Sequence, residues 1–106
     1  MRYDLLDAYP QQERSNSPMA LYFITALSNP DKVVAAAKQL VSARDFHEVA
    51  NDKFFLSFNG TTIELGEKLG INGGQTGMGI LLRVTAFHGR APKSIWEFIG
   101  LQLSKT

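Results

Sequence analysis

No cysteine occurs among the 106 residues of this chain. Disulfides, thiolate metal sites and a cysteine nucleophile are excluded together. Compartment stays open on that ground, because many exported proteins also lack cysteine. No uncharged apolar run approaches the roughly 20 residues that a membrane span needs. The segment Met1-Arg-Tyr-Asp-Leu-Leu-Asp7 has acids where a signal peptide needs an apolar core. These absences predict a soluble, cytoplasmic protein with no membrane partner. A long run of one charge is missing too. Eleven basic and ten acidic residues are spread along the chain, for a net charge of +1. Nucleic acid remains a possible partner, but the charge gives it no support.

Catalytic signatures are equally scarce. The serines include no Gly-x-Ser-x-Gly elbow. Asp4, Asp7, Glu48, Asp52, Glu64 and Glu67 have no spacing that argues for paired carboxylates or a metal cage. Asn72-Gly-Gly-Gln-Thr-Gly-Met-Gly79 is rich in glycine, but it runs from a helix into a strand and no Gly-Lys-Ser/Thr follows. A phosphate loop needs the opposite order, so that a helix N-terminus faces the anion. The loop reads as a flexible connector that can also serve as an interaction loop. We therefore assign no catalytic, metal or cofactor-binding residue, and no cofactor.

What is present is an architecture. The apolar fraction of 44% and charged fraction of 20% are ordinary for one globular domain. Residues 1–18 read as an arm, in which Tyr3, Leu5, Leu6 and Tyr9 make one face of a short helix or an extended segment, followed by polar linker. Met19-Ala-Leu-Tyr-Phe-Ile-Thr-Ala-Leu27 is uncharged and rich in aromatic and β-branched side chains, the pattern of a central strand buried on both faces. Asn29-Pro30 then marks a helix start, with Asn29 capping the free amides and Pro30 at the first helical position. Val33, Ala36, Ala37, Leu40 and Val41 form one apolar stripe, which predicts a helix over about 30–43.

Phe46–Val49 and Lys53–Phe58 read as a hairpin around the turn Asn51-Asp52. Residues 59–71 fit two patterns. Asn59-Gly60 is a hairpin signal that would pair Leu56 with Ile63. Thr61-x-x-Glu64 is a capping box, with Leu65 and Leu69 four apart and a terminal Gly70-Ile71, which makes a helix. Ile80–Phe87 is a second long apolar strand. His88-Gly-Arg-Ala-Pro92 is a turn. Ser94-x-x-Glu97 starts a closing helix with Ile95, Phe98, Ile99 and Leu103 on one stripe.

Taking the helix at 59–71, residues 19–88 follow the order β-α-β-β-α-β, between the arm (1–18) and the closing helix (89–106). This order resembles the α+β ferredoxin-like sandwich. Right-handed crossovers would put the first and third strands at the centre and both helices on one face. The element lengths also resemble those of small ferredoxin-like proteins related to the CRISPR adaptation subunit and the VapD toxins. That resemblance implies an aspartate at the end of the first strand for metal-dependent phosphodiester cleavage. Here the stretch is Thr25-Ala-Leu-Ser28, without an acid, and Asp31 comes too late.

Interface candidates are clearer than catalytic ones. Tyr22-Phe23 and Phe54-Phe55 are adjacent aromatic pairs, so one member of each must face away from the two core helices. His88, Arg90 and Trp96 form the densest cluster of function-capable side chains, and Trp and Arg are frequent interface anchors. His47 and His88, on the second and fourth strands, fall at opposite sheet edges and should not share a site. The expectation is a non-enzymatic interaction domain, a homodimer or a binder of a protein partner, using Tyr22, Phe23, Phe54, Phe55, His88, Arg90 and Trp96. A nucleic-acid-associated protein without cleavage chemistry, and a small-molecule binder or enzyme, are the alternatives.

Overall fold

The structure is a computed structural model and describes residues 19–104; the expectations for the arm lie outside them. Its strands are β1 (Ala20–Ala26), β2 (Phe46–Ala50), β3 (Lys53–Phe58) and β4 (Gly79–Arg83). Its α-helices are α1 (Pro30–Leu40), α2 (Thr62–Lys68) and α3 (Lys93–Leu103), and a short 3-10 turn at Ala43–Asp45 leads into β2. All strand pairs are antiparallel, in the order β2-β3-β1-β4. The fold is α+β, one four-stranded sheet with three helices, and is compatible with the ferredoxin-like arrangement.

β1 is central because its side chains are apolar on both faces. Its even-numbered residues Tyr22, Ile24 and Ala26 join Phe54 and Leu56 of β3 on one face. Val33 and Ala37 of α1, and Leu65 and Leu69 from α2 and its cap, close over them to make the core. Tyr22 is fully buried, and its hydroxyl donates to the Gly60 carbonyl at 2.5 Å. That bond satisfies the one polar atom the ring carries into the core.

Within residues 59–71 the helix wins, as α2 with its two caps. The Thr61 side chain accepts from the Glu64 amide at 3.1 Å, and the Glu64 carboxylate accepts from the Thr61 amide at 2.8 Å. At the other end, Gly70 takes φ 76°, Gly70 N–H donates to the Glu67 carbonyl and Ile71 N–H to the Gly66 carbonyl. These two bonds make a Schellman cap.

Four expectations are corrected. Asn29 does not cap α1 with its side chain; it adopts a left-handed backbone (φ 48°, ψ 54°), which asparagine tolerates, and its carbonyl accepts from Lys32 and Val33. α1 ends at Leu40, short of 43, because Val41 is already extended. Ser94 does not cap α3: Pro92 holds the cap position and Glu97 faces Lys93 at 3.8 Å instead. The last strand stops at Arg83 rather than Phe87. A final rung joins the Val84 N–H to the Leu21 carbonyl. Beyond it, residues 85–87 leave β1, and the Phe87 ring stacks on Trp96 of α3, at 5.6 Å and 26°. His88 consequently lies in a loop, not on an edge strand.

The glycine-rich loop is tied down. Thr76 donates through its hydroxyl to the Leu69 carbonyl at 2.6 Å, and the Met78 N–H donates to Ser28 Oγ at 2.8 Å.

Candidate interaction surface

The odd-numbered residues of β1 and β3 face away from the core. In register across the sheet, His47, Phe55, Phe23 and Leu82 form one row. Ser57 and Leu21 lie on one side of it, Lys53, Thr25 and Ile80 on the other. Solvent would penalise so much apolar surface, and α3 packs against β1 and β2 on this side.

The docking of α3 is anchored by a polar pair. Ser57 Oγ donates to Gln102 Oε1 at 2.6 Å, and Gln102 Nε2 donates to the Arg44 carbonyl at 3.1 Å. Both side chains are buried and their polar atoms satisfied. Ile99 buries its side chain on the same stripe. Phe98 stacks on His47 at 5.2 Å and sits 6.5 Å from Phe55, which in turn tilts against Phe23 at 4.9 Å. Sequence periodicity marked Ile95, Phe98 and Ile99 but passed over Gln102. Its position three residues after Ile99 is the signal that places it on the buried side.

α3 covers the row only in part. Between it and the sheet runs a groove of about 350 Å³. Phe23, Phe55 and Val49 form its floor. Trp96 and Ile95 of α3 form one wall, and the 84–91 segment forms the other, with Phe87 and His88. Beyond the groove, Ile80 and Leu82 of β4 remain 47% and 54% exposed. The sheet's open face therefore carries a continuous apolar surface from the α3 wall to β4.

Of the sequence candidates, Phe23, Phe55, His88 and Trp96 come together in this groove. Tyr22 and Phe54 do not: each is the core-facing member of its pair and is fully buried on the opposite face. Arg90 is exposed in the loop before α3 and does not line the groove. His47 is held against Phe98, away from the groove lining. Val49, Ile80, Leu82 and Phe87 join the surface without having been singled out as site residues. Ile80-Leu81-Leu82 is apolar throughout and does not by itself say which side chains face outward; the pairing with β1 puts Ile80 and Leu82 on the open face, beyond the reach of α3.

Among the described residues there is no group of three or more His, Asp or Glu side chains that could hold a metal ion. No helix among them is long and apolar enough to cross a membrane. No protein-family model, curated protein or solved structure matches this chain.

Proposed function

We propose that this chain is a small non-enzymatic interaction domain that binds another protein chain through the open face of its sheet. The carrying observation is the apolar surface running from the Trp96 wall of the groove to the exposed Ile80 and Leu82. An exposed aromatic and aliphatic surface beside a buried anchor is what a protein interface needs at its centre. Its polar groups are few and peripheral, with His88 on the loop wall and Thr25 and a single cation, Lys53, at the far end of the sheet. This composition favours a protein over a nucleic acid, which requires a basic surface for its phosphates.

The strand order, the antiparallel pairing and the placement of α1 and α2 on one face support assigning the core to the ferredoxin-like sandwich. The likeness to the CRISPR-adaptation and VapD group rests on that same layout. It carries no cleavage chemistry into this chain, because Thr25-Ala-Leu-Ser28 ends β1 without an acid.

Site-specific photo-cross-linking tests the role. A photoreactive residue replacing Leu82 or Trp96, in cells expressing the chain, should yield discrete protein adducts. The same residue replacing Gln39, exposed on α1, should not. Nuclease-sensitive adducts, or equal labelling from Gln39, would contradict the proposal.

A further inference from the structure

The two edges of the sheet differ. β2 carries a register irregularity between Glu48 and Ala50, with the exposed Glu48 beside it. Bulges and charges are devices that blunt an edge against pairing. β4 has none of them in its middle: Ile80, Leu81 and Leu82 are apolar, without proline or bulge. A second groove, of about 230 Å³, runs along this strand. Its lining takes Ile80 from the open face, and Leu81, Ile63 and Ile71 from the helix side. The groove thus reaches both faces at the outer edge of β4, and among the described residues no strand pairs there.

The backbone of that edge is self-complementary. Leu27 N–H donates to the Met78 carbonyl and Val84 N–H to the Leu21 carbonyl. In an antiparallel ladder, hydrogen-bonded pairs alternate with non-hydrogen-bonded ones. With the observed register, Ile80 and Leu82 turn their amides and carbonyls toward β1. Gly79, Leu81 and Arg83 therefore turn theirs outward.

We propose that β4 pairs with β4 of a second copy, antiparallel about a two-fold axis at Leu81, and joins two sheets into one. Leu81 then faces Leu81 of the second copy, and Arg83 faces Gly79 of the second copy. Each glycine leaves room for an arginine, and the two arginines stay at opposite ends of the joint. Ile80 lies opposite Leu82 of the second copy, so the exposed apolar side chains of both copies stand side by side on one extended open face. Ile63 and Ile71 flank the joint on the helix side. The contact is isologous, as a two-fold dimer requires. The pairing deepens the protein-binding role proposed above, and rests on it, by naming a second copy as the partner.

The absence of native cysteine makes a register test clean. Opposed residues of a non-hydrogen-bonded pair have Cα atoms about 4.5 Å apart, inside the range a disulfide bridges. Full-length Ile80→Cys and Leu82→Cys chains of different tag mass should therefore form a covalent heterodimer on mild oxidation. Ile80→Cys alone should cross-link about tenfold less, because diagonal neighbours lie about 7–8 Å apart. Sedimentation of the unmodified chain should show a dimer at high micromolar concentration. A strict monomer there, or a dimer with no preference for the mixed disulfide, overturns the pairing. If photo-cross-links from Leu82 to another protein persist in that case, the protein-binding role stands and only the choice of partner fails.

Discussion

Ser57 and Gln102 show how much rests on single polar atoms. Each is 1% exposed, and their hydrogen bond fixes α3 to the middle of the sheet. Ser57→Ala leaves the Gln102 carbonyl oxygen without its donor, which should cost about 1–3 kcal/mol. Urea unfolding should show this as a lower midpoint at an unchanged slope. Gly77 is the second sensitive residue. It adopts φ 152°, and a Cβ there would lie 2.6 Å from the Ser28 carbonyl oxygen. Backbone cannot yield as a flexible side-chain tip does. Gly77→Ala should therefore destabilise by about 1–3 kcal/mol in the same assay. Gly77 belongs to the glycine-rich stretch noted in the sequence, but Ser57 and Gln102 did not stand out there. A serine in a strand and a glutamine in a helix read as surface residues until the two elements are known to cross.

Among the elements, α3 has a double task. It covers Ser57 through Gln102, and it supplies Trp96 as a groove wall. Ile99 carries much of the packing, at 2% exposed. Ile99→Ala should cost about 2–5 kcal/mol, more than Ser57→Ala, because a cavity adds to the lost transfer energy. Thermal or urea unfolding should rank the two variants in that order. Doubled signals held where they occurred, in β1 and also in α2, whose stretch carried a competing hairpin signal at Asn59-Gly60. β1 had both its length and its two-sided apolarity. α2 had a capping box and a terminal glycine, and both form as hydrogen-bonded caps. The end of β4 was not legible. An apolar run through Phe87 describes a chain able to be a strand, whereas the ladder needs a facing partner. Phe87 found Trp96 instead. The Ser94-x-x-Glu97 pattern misled for a related reason: Pro92 already sets the entry to α3, so the helix starts at Lys93 and Ser94 lies inside it.

Across the whole molecule, the two faces of the sheet have different fates. α1 and α2 cover one except along the outer edge of β4, and α3 covers the other only toward β2 and the Leu21–Ser57 row. The adjacent aromatic pairs announced this division: Tyr22 and Phe54 go to the core, Phe23 and Phe55 to the groove floor. The sequence reading also put the fourth strand at an edge, as the strand order has it; what lay beyond sequence was how far α3 reaches across the open face, which leaves Ile80 and Leu82 uncovered. Ile80→Lys with Leu82→Lys should leave unfolding within about 0.5 kcal/mol of the parent, since both side chains are half exposed and face no core residue. Sedimentation of the same variant should show association lost. A variant that unfolds would instead mean that these residues serve the fold.

The claim at the centre is that the sheet does not end at β4. Amide hydrogen exchange of the full chain, followed residue by residue at high and low protein concentration, tests it most directly. Ile80 and Leu82 amides bond to β1 and should stay protected at both concentrations. The Leu81 amide faces outward and should be protected at high concentration, then lose protection on dilution. Exchange of Leu81 at the rate of an open chain, however concentrated the protein, would contradict the account.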